Sequence, residues 1–372
     1  MNPIYMDNAA STPTKPNVLA KFNEIAEIYY ANPSSVHTPG LNAMKIVSDT
    51  QDIIASKLSC KKDEIFFTSG ATMSNNVLIQ GILRKRPETM FITSCIEHND
   101  IMELYDWLPY AKRLLDVYED GIINTDSLYE ALVLCESKSK PFFVSIQMAN
   151  SESGVIQPIK YIAKLIHKFG GYLHVDATQY IPYYPINVDE MGIDALSMSG
   201  QKIGGLKGTG LLYVRQALQD KITPIIFGEQ GLVGGTYPTP LIASLGEAFN
   251  NIDYDITELQ HKTNILKEYL VGYLGGCLVG SDNNRLPNNI YIRFPGVPGL
   301  TLQSLLNNYD IYIGTGSACS SDSDKPSHVA LAYGLSDKEA LECVRFTLGN
   351  QNTYEEIEYV IKVLKSILEL LL

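Results

Sequence analysis

Ile159-Lys-Tyr-Ile-Ala-Lys-Leu-Ile-His-Lys-Phe-Gly-Gly-Tyr172-Leu-His-Val-Asp176 holds the fold in miniature. Residues 159–169 carry apolar side chains at helical spacing, and the stretch ends in a short apolar run of strand type. Outward from it the same alternation repeats. Strand candidates stand at Glu64–Phe67, Met90–Thr93, Phe142–Gln147, Tyr172–Val175, Ala195–Met198 and Gly210–Val214, and Met73–Leu83 is a second helical pattern. Strands alternating with helices predict an α/β fold, a mostly parallel central sheet with helices on both faces. Ligands then bind beyond the carboxyl ends of the strands.

After about residue 255 the character changes. A long helical pattern, Ile256–Leu274, leads to strand candidates Cys277–Val279 and Asn289–Phe294. The closing helix opens on Thr353-Tyr-Glu-Glu356, a capping-box pattern. These features predict a smaller α+β domain of residues 1–14 and 256–372 beside a large domain of residues 15–255. At 372 residues the chain is long for one compact core, which also favours two domains.

Composition narrows the class. An apolar content of 45% and a charged content of 19% belong to an ordinary folded protein. No apolar run reaches the roughly 18 residues of a membrane span. The start, Met1-Asn-Pro-Ile-Tyr-Met-Asp-Asn-Ala-Ala-Ser11, has no basic flank and apolar core of a signal peptide, so a cytoplasmic location is expected. A net charge of −12 argues against direct nucleic-acid binding by phosphate neutralisation. The six cysteines, at positions 60, 95, 135, 277, 319 and 343, are scattered without a Cys-x-x-Cys, so no metal site or disulfide framework is expected.

Three segments suggest chemistry. In Ser197-Met-Ser-Gly-Gln-Lys202-Ile-Gly-Gly-Leu-Lys-Gly-Thr-Gly210, a lysine follows a strand and precedes a glycine-dense turn. Such a turn lets a bulky ligand approach the backbone and sets the amine where an aldehyde condenses with it. An exposed loop lysine fits the same residues. In Leu173-His-Val-Asp176-Ala-Thr-Gln179 a carboxylate ends a buried-looking strand and needs a cation, such as a protonated pyridine nitrogen. An aspartate capping the next helix is the competing explanation. In Phe67-Thr-Ser-Gly70-Ala71-Thr72-Met-Ser-Asn75 a small polar turn opens a helix, where free N–H groups and hydroxyls suit a phosphate. Plain helix capping explains such a turn as well.

Taken together in this order and spacing, the three segments resemble the class V aminotransferase-like pyridoxal-phosphate (PLP) enzymes, and specifically the cysteine desulfurases. The resemblance runs from Tyr5-Met-Asp-Asn-Ala-Ala-Ser-Thr-Pro13 through Asn32-Pro-Ser-Ser-Val-His37 to Arg345-Phe-Thr-Leu-Gly349. It implies the type I fold of PLP-dependent transferases and PLP as cofactor. Lys202 matches the Schiff-base lysine, Asp176 the partner of the ring nitrogen, and Gln179 the donor to the phenolic oxygen. His98 matches the histidine stacked on the ring. Gly70, Ala71 and Thr72, with Ser199 and Gln201, fall at the phosphate. Asn150, in Met148-Ala-Asn150-Ser-Glu-Ser-Gly154, and Arg345 match the groups that bind the substrate carboxylate. Thr236, in Gly234-Gly-Thr236-Tyr-Pro, matches a threonine that reaches the partner subunit's phosphate, which implies a homodimer.

Cys319 lies in Gly314-Thr-Gly-Ser-Ala-Cys319-Ser-Ser-Asp-Ser-Asp-Lys-Pro326, a thiol among small polar residues rather than bulky apolar ones. It resembles the nucleophile loop of desulfurases that supply iron–sulfur assembly and tRNA thiolation. The activity implied is conversion of L-cysteine to alanine with a persulfide on Cys319, passed on to a sulfur-acceptor protein. Another class V activity, such as selenocysteine lyase, and a weakly active PLP-binding scaffold are the alternatives. Departures from the family pattern are Gln201 in place of histidine, Gln230 and Val233 in place of arginines, and Gly205-Leu206 after the lysine. These bear on the grip on the cofactor phosphate.

Overall fold

The computed structural model describes residues 3–229, 231–316 and 325–371. Its strands are β1 (Ile4–Met6), β2 (Ile65–Thr68), β3 (Met90–Ser94), β4 (Lys112–Leu115), β5 (Phe142–Gln147), β6 (Tyr172–Asp176), β7 (Ala195–Ser199), β8 (Gly210–Val214), β9 (Cys277–Leu278), β10 (Asn289–Arg293), β11 (Ile311–Ile313) and β12 (Cys343–Thr347). Seven of them form the central sheet, in the order β2-β8-β7-β6-β5-β3-β4. Only β8 runs against the rest, pairing antiparallel with both β2 and β7.

Alternation along each strand sends side chains to both faces. Val144, Ile146, Leu211 and Tyr213 face a core closed by helix Ile159–Lys168 and helix Thr239–Asn250. Phe143, Leu212 and Val214 face a second core with Val77, Leu78 and Ile82 of helix Ala71–Lys85. Helices therefore cover both faces, and β5 to β8 are buried throughout except for half-buried Tyr172 at the start of β6. Such buried, largely apolar strands are what a doubly covered sheet requires.

A separate buried cluster joins Ile4 and Met6 to Leu266, Ile292, Phe346 and Leu364. Here β1 pairs parallel with β11, and β10 pairs antiparallel with β12 and β9. Bridges Asp7–Thr347 and Gly314–Arg345 tie the two small sheets together. Helix Tyr354–Leu371 closes this cluster, and its capping box forms: Glu356 N donates to Thr353 Oγ1 at 3.2 Å and Thr353 N to Glu356 Oε2 at 3.2 Å.

Strands β6 and β7 extend one residue beyond the apolar runs, so that Asp176 and Ser199 stand at their carboxyl ends. Strands β1, β4 and β11 lack a readable pattern of their own, being three or four residues long and completed by distant partners.

A close backbone approach positions the site. Gly210 of β8 passes so near Gly70 that a Cβ on Gly210 would lie 2.4 Å from Gly70 Cα. Gly70 itself has φ +155°, and helix Ala71–Lys85 starts directly after it. Side chains at these two positions would push the helix start off the sheet.

Candidate active site

A cavity of about 330 Å³ opens at the carboxyl ends of β5, β6 and β7. Lys202, Asp176, Ser199, Thr72, His98 and Arg345 all line it, so residues scattered over the sequence meet in one place.

Lys202 ends a short 3-10 turn, Gly200–Lys202, that follows β7. Gly200 fits there because its backbone lies against Thr209, where a Cβ would come 2.1 Å from Oγ1. The Lys202 amine donates to the carbonyls of Ala9 at 2.5 Å and Ala10 at 2.7 Å. Gln179 Nε2 donates to the same Ala9 carbonyl at 3.0 Å. The amine is thus held by the amino-terminal segment, whose Ala9 N in turn donates to Thr347 Oγ1 at 2.9 Å.

Asp176 is buried at the end of β6. It accepts from Asn75 Nδ2 at 3.1 Å and from Thr178 N at 3.0 Å. Burial, reinforced by the nearby charge of Asp100, pushes its carboxyl above the usual range. Asn75 also donates to Asp100 Oδ2 at 3.1 Å and accepts from Ser197 Oγ at 2.5 Å. Asp100 in turn shares a 2.8 Å hydrogen bond with His98 Nδ1. Burial works against the Asp100 charge, yet His98 holds its carboxyl below the usual value.

At the helix start, Ala71 N donates to Ser199 Oγ at 2.8 Å. Ser199 accepts there, which leaves its own proton for an acceptor in the cavity. Gly70 lies behind this contact and supports it without lining the cavity. Gln201 does line it, and its carbonyl accepts from Thr12 Oγ1 at 2.7 Å.

Arg345 is buried on β12. It donates from Nη2 to Asp7 Oδ1 at 2.6 Å and from Nη1 to the Ser151 carbonyl at 2.9 Å. Its Nε has no partner among the described residues.

Two expected residues stand elsewhere. Asn150 does not line the cavity: its Nδ2 donates to the Ile96 carbonyl at 3.0 Å, and its Oδ1 takes Glu152 N at 2.9 Å and Ser153 N at 2.8 Å. Its amide is consumed in holding a turn, and the next residue, Ser151, faces the cavity instead. Thr236 and Val233 line a second cavity of about 320 Å³ with Phe67, Met73 and Tyr237, so Thr236 does not reach the Lys202 site of its own chain. Cys319 and Gln230 lie outside the described residues.

The sequence reading missed several lining groups. Glu97 is fully buried, takes a hydrogen bond from Gln147 N at 2.8 Å and another from Ser94 Oγ, and is pushed well up by burial. Glu152 is also buried, and desolvation raises its carboxyl to about 7 against the hydrogen bond of Ser327 and the charge of Arg345. His328 Nε2 shares a 2.9 Å hydrogen bond with the Glu97 carbonyl. Both glutamates lie within two residues of groups named from the resemblance, Glu97 beside His98 and Glu152 near Asn150. Among the described residues no group of His, Cys, Asp and Glu is arranged to hold a metal ion, and no helix is long and apolar enough to cross a membrane.

The Aminotransferase class-V family matches residues 4–360. Cysteine desulfurase IscS of Dictyoglomus turgidum is 34% identical over 379 residues, covering 98% of this chain and 94% of its own. The mitochondrial cysteine desulfurase of Saccharomyces cerevisiae is 35% identical over 373 residues, 97% of this chain and 74% of its own. The chain belongs to the cysteine desulfurases of the class V family. A solved NifS-like protein superposes with a TM-score of 0.89 at 30% identity, covering 99% of this chain and 100% of its own. SspA in complex with cysteine superposes with a TM-score of 0.82 at 33% identity, covering 93% and 98%. The fold of this desulfurase is accordingly the type I fold of PLP-dependent transferases.

Membership of the cysteine desulfurases implies PLP as cofactor. The residues present fit it. An amine, a buried carboxyl raised by desolvation, and neutral donors at a helix start converge on one cavity. A cationic ring N–H against Asp176 would restore the ionised form that burial disfavours.

Proposed function

We propose that this chain releases sulfur from L-cysteine as a PLP-dependent desulfurase, leaving alanine and a persulfide on Cys319. The observation that carries the reading is the meeting of Lys202, Asp176 and Arg345 in one cavity, with Gly316, close before Cys319 in sequence, on its wall. A lysine to link an aldehyde, a carboxylate for a cationic ring and an arginine for a carboxylate together suit an amino-acid substrate.

Bound through Lys202, PLP supplies an electron sink for the pair left when the substrate Cα loses its proton. Once the substrate amine has replaced it on the cofactor, Lys202 Nζ, held in the cavity by the carbonyls of Ala9 and Ala10, would take that proton. Asp176 would keep the ring nitrogen protonated, with Asn75 fixing the orientation of its carboxyl. Gln179 would serve the phenolic oxygen and His98 the ring, with Asp100 setting the orientation of the imidazole. Thr72, Ser199, Gln201 and the N–H groups after Gly70 would hold the phosphate. Arg345 pairs with the substrate carboxylate as a planar fork, and Ser151 takes the neighbouring place that Asn150 leaves. The Cys319 thiolate attacks the substrate sulfur: an S–S bond forms, the C–S bond breaks, and the released carbon skeleton takes up protons to become alanine.

A homodimer in which Thr236 reaches the partner's phosphate, a large domain of residues 15–255, and a small one of residues 1–14 and 256–372 complete the proposal. So do transfer of sulfur to an acceptor protein for iron–sulfur assembly or tRNA thiolation, and a cytoplasmic site of action.

The test is direct. Purified protein is expected to show the cofactor's visible absorbance and to make alanine and sulfide from L-cysteine with a thiol reductant. Lys202→Ala is expected to lose that absorbance shift. Cys319→Ala is expected to keep it and to make no sulfide. Full sulfide production by Cys319→Ala would sink the persulfide step, and no alanine from the wild type would sink the activity.

A further inference from the structure

A histidine lies wholly buried in the middle of the central sheet, away from the cavity wall, and the proposed reaction gives it no part. Side chains alternate along a strand, so His174 and Asp176 of β6 share one face. Helix Ala71–Lys85 covers that face, and its Asn75 donates to Asp176. His174 has a serine beside it on each neighbouring strand. Ser145 Oγ of β5 lies 2.8 Å from His174 Nδ1, and Ser197 Oγ of β7 lies 3.0 Å from Nε2. His174, Ser145, Ser197 and Asn75 are all closed off from solvent.

Donor and acceptor chemistry gives these contacts one direction. The Asp100 carboxylate only accepts, so Asn75 turns Nδ2 to Asp100 and Asp176, at 3.1 Å each, and leaves Oδ1 for Ser197. Ser197 has one proton and donates it to Asn75 Oδ1 at 2.5 Å. The contact between His174 and Ser197 must then be donated by Nε2–H. Burial lowers the pKa of the His174 imidazole to about 3, so the ring carries a single proton and Nδ1 has none. Ser145 therefore donates to Nδ1. The protons all point one way, from Ser145 through His174, Ser197 and Asn75 to the two carboxylates. In a water-free interior each bond of such a chain polarises and strengthens the next.

We propose that His174 is a positioning residue: as the neutral Nε2–H tautomer it commits the Ser197 hydroxyl to Asn75, whose amide then holds Asp176 and Asp100 in fixed relation. Asp176 is read above as the partner of the cofactor's ring nitrogen, and Asp100 shares its 2.8 Å hydrogen bond with His98. One amide thus sets the groups for the edge and for the face of the ring. In the opposite tautomer Nε2 would be an acceptor. Ser197 would turn its proton to His174, and Asn75 Oδ1 would be buried without a donor, which costs free energy and loosens the amide. An imidazole suits the place because its two nitrogens sit on a rigid ring and reach both neighbouring strands, about 4.8 Å away on either side.

The inference rests on the PLP reading of the cavity, and the experiment keeps the two apart. Nitrogen NMR of the full-length protein, labelled in its histidines, reads the tautomer with and without PLP, the His174 signals being those lost in His174→Gln. His174 is expected to carry its one proton on Nε2 and to stay neutral across the neutral pH range. Ser197→Ala, His174→Phe and His174→Gln are then compared with the wild type for PLP affinity, by titrating the apoprotein, and for kcat and KM. Ser197→Ala leaves Asn75 Oδ1 without a donor and is expected to weaken PLP binding and lower kcat about tenfold each. KM for cysteine is expected to stay near wild type. His174→Phe keeps a flat ring but removes the Nε2 donor, and a loss of about threefold in both quantities is expected. His174→Gln sets an amide N–H near the place of Nε2 and is expected to restore most of that loss. A proton on Nδ1 or a charged ring overturns the inference. So do wild-type PLP affinity and kcat in Ser197→Ala, or a His174→Gln no better than His174→Phe. If Ser197→Ala does not fold, the tautomer and the two His174 variants decide by the same criteria. A wild-type protein that binds no PLP would instead defeat the reading of the cavity, and the tautomer would still decide the direction of the chain.

Discussion

At one end of the cavity Lys202, Asp176 and Ser199 hang from the carboxyl ends of adjacent parallel strands, β6 and β7. At the other end Arg345, Asp7, Glu152 and Ser327 come from segments far apart in sequence, with the Arg345–Asp7 contact spanning 338 positions. The first end is built by a sheet that would exist with or without a ligand. The second exists only where the segments around Asp7 and Arg345 meet the turn after β5. Regular structure sets chemistry by register, whereas a seam sets it by buried charge. The seam should therefore be the end more sensitive to pH and to conservative change.

The largest expected effect tests the sheet end. Asp176→Ala should lower kcat by on the order of 10³-fold, as removal of a preorganised charge at a reacting system does. Steady-state alanine formation checks it. A loss below tenfold would show that the strand end supplies position but little electrostatics.

The second tests the seam. The Glu152 carboxyl titrates at 4.5 in an ordinary setting and at about 7 here. Arg345 of β12, Tyr291 of β10, His98, Ser327, Tyr333 and Cys343 face it. Because the folded value is the higher, the native state keeps a proton that the unfolded chain has released. Stability is fully present below pH 4.5 and falls as pH rises towards about 7. Wild-type stability relative to Glu152→Gln should drop by roughly 3 kcal/mol across that window. Urea unfolding of both proteins at several pH values reads this, and a constant difference would erase the contrast.

Arg345→Lys comes next. Loss of the planar fork and of its bonds to Asp7 and Ser151 should raise KM for cysteine about 30-fold, equivalent to ~2 kcal/mol. A change in kcat alone would move Arg345 from substrate binding to some later step. Smallest is Thr353→Ala, which removes the capping box of the last helix. It should cost about 1 kcal/mol in urea unfolding and leave KM and kcat unchanged. A kinetic effect would mean that the small core and the seam are coupled more tightly than their contacts imply.

The same contrast explains what the sequence disclosed. The sheet end was readable because Asp176, Gln179, Ser199 and Lys202 fall at the ends of two successive parallel strands and in the turns directly after them, where local pattern and local geometry agree. The large sheet followed from apolar runs that end within a residue or so of the observed strands. Strands β1 and β11 were not readable, since three residues gain strand character only from each other. The reversal of β8 could not be read from an apolar run that looks the same in either direction. Asn150 belongs to a motif that forms a turn, and only the fold shows that its amide holds that turn while Ser151 lines the cavity. Glu97 and Glu152 went unremarked because burial, which gives them their character, is not written in their neighbours.

The Lys202 amine rests on the carbonyls of Ala9 and Ala10, and those residues are fastened to Thr347 through Asn8 Nδ2 at 2.9 Å and Ala9 N at 2.9 Å. A ribosome makes residue 9 some 338 residues before residue 347. Until β12 emerges, the segment around Ala9 lacks its Thr347 partner and the seat of the amine is incomplete. Domains that fold as their chain appears acquire structure from the amino terminus onward. This chain instead completes its reactive centre by joining segments made far apart in time, so a copy that has not yet reached Thr347 carries the lysine without its full setting.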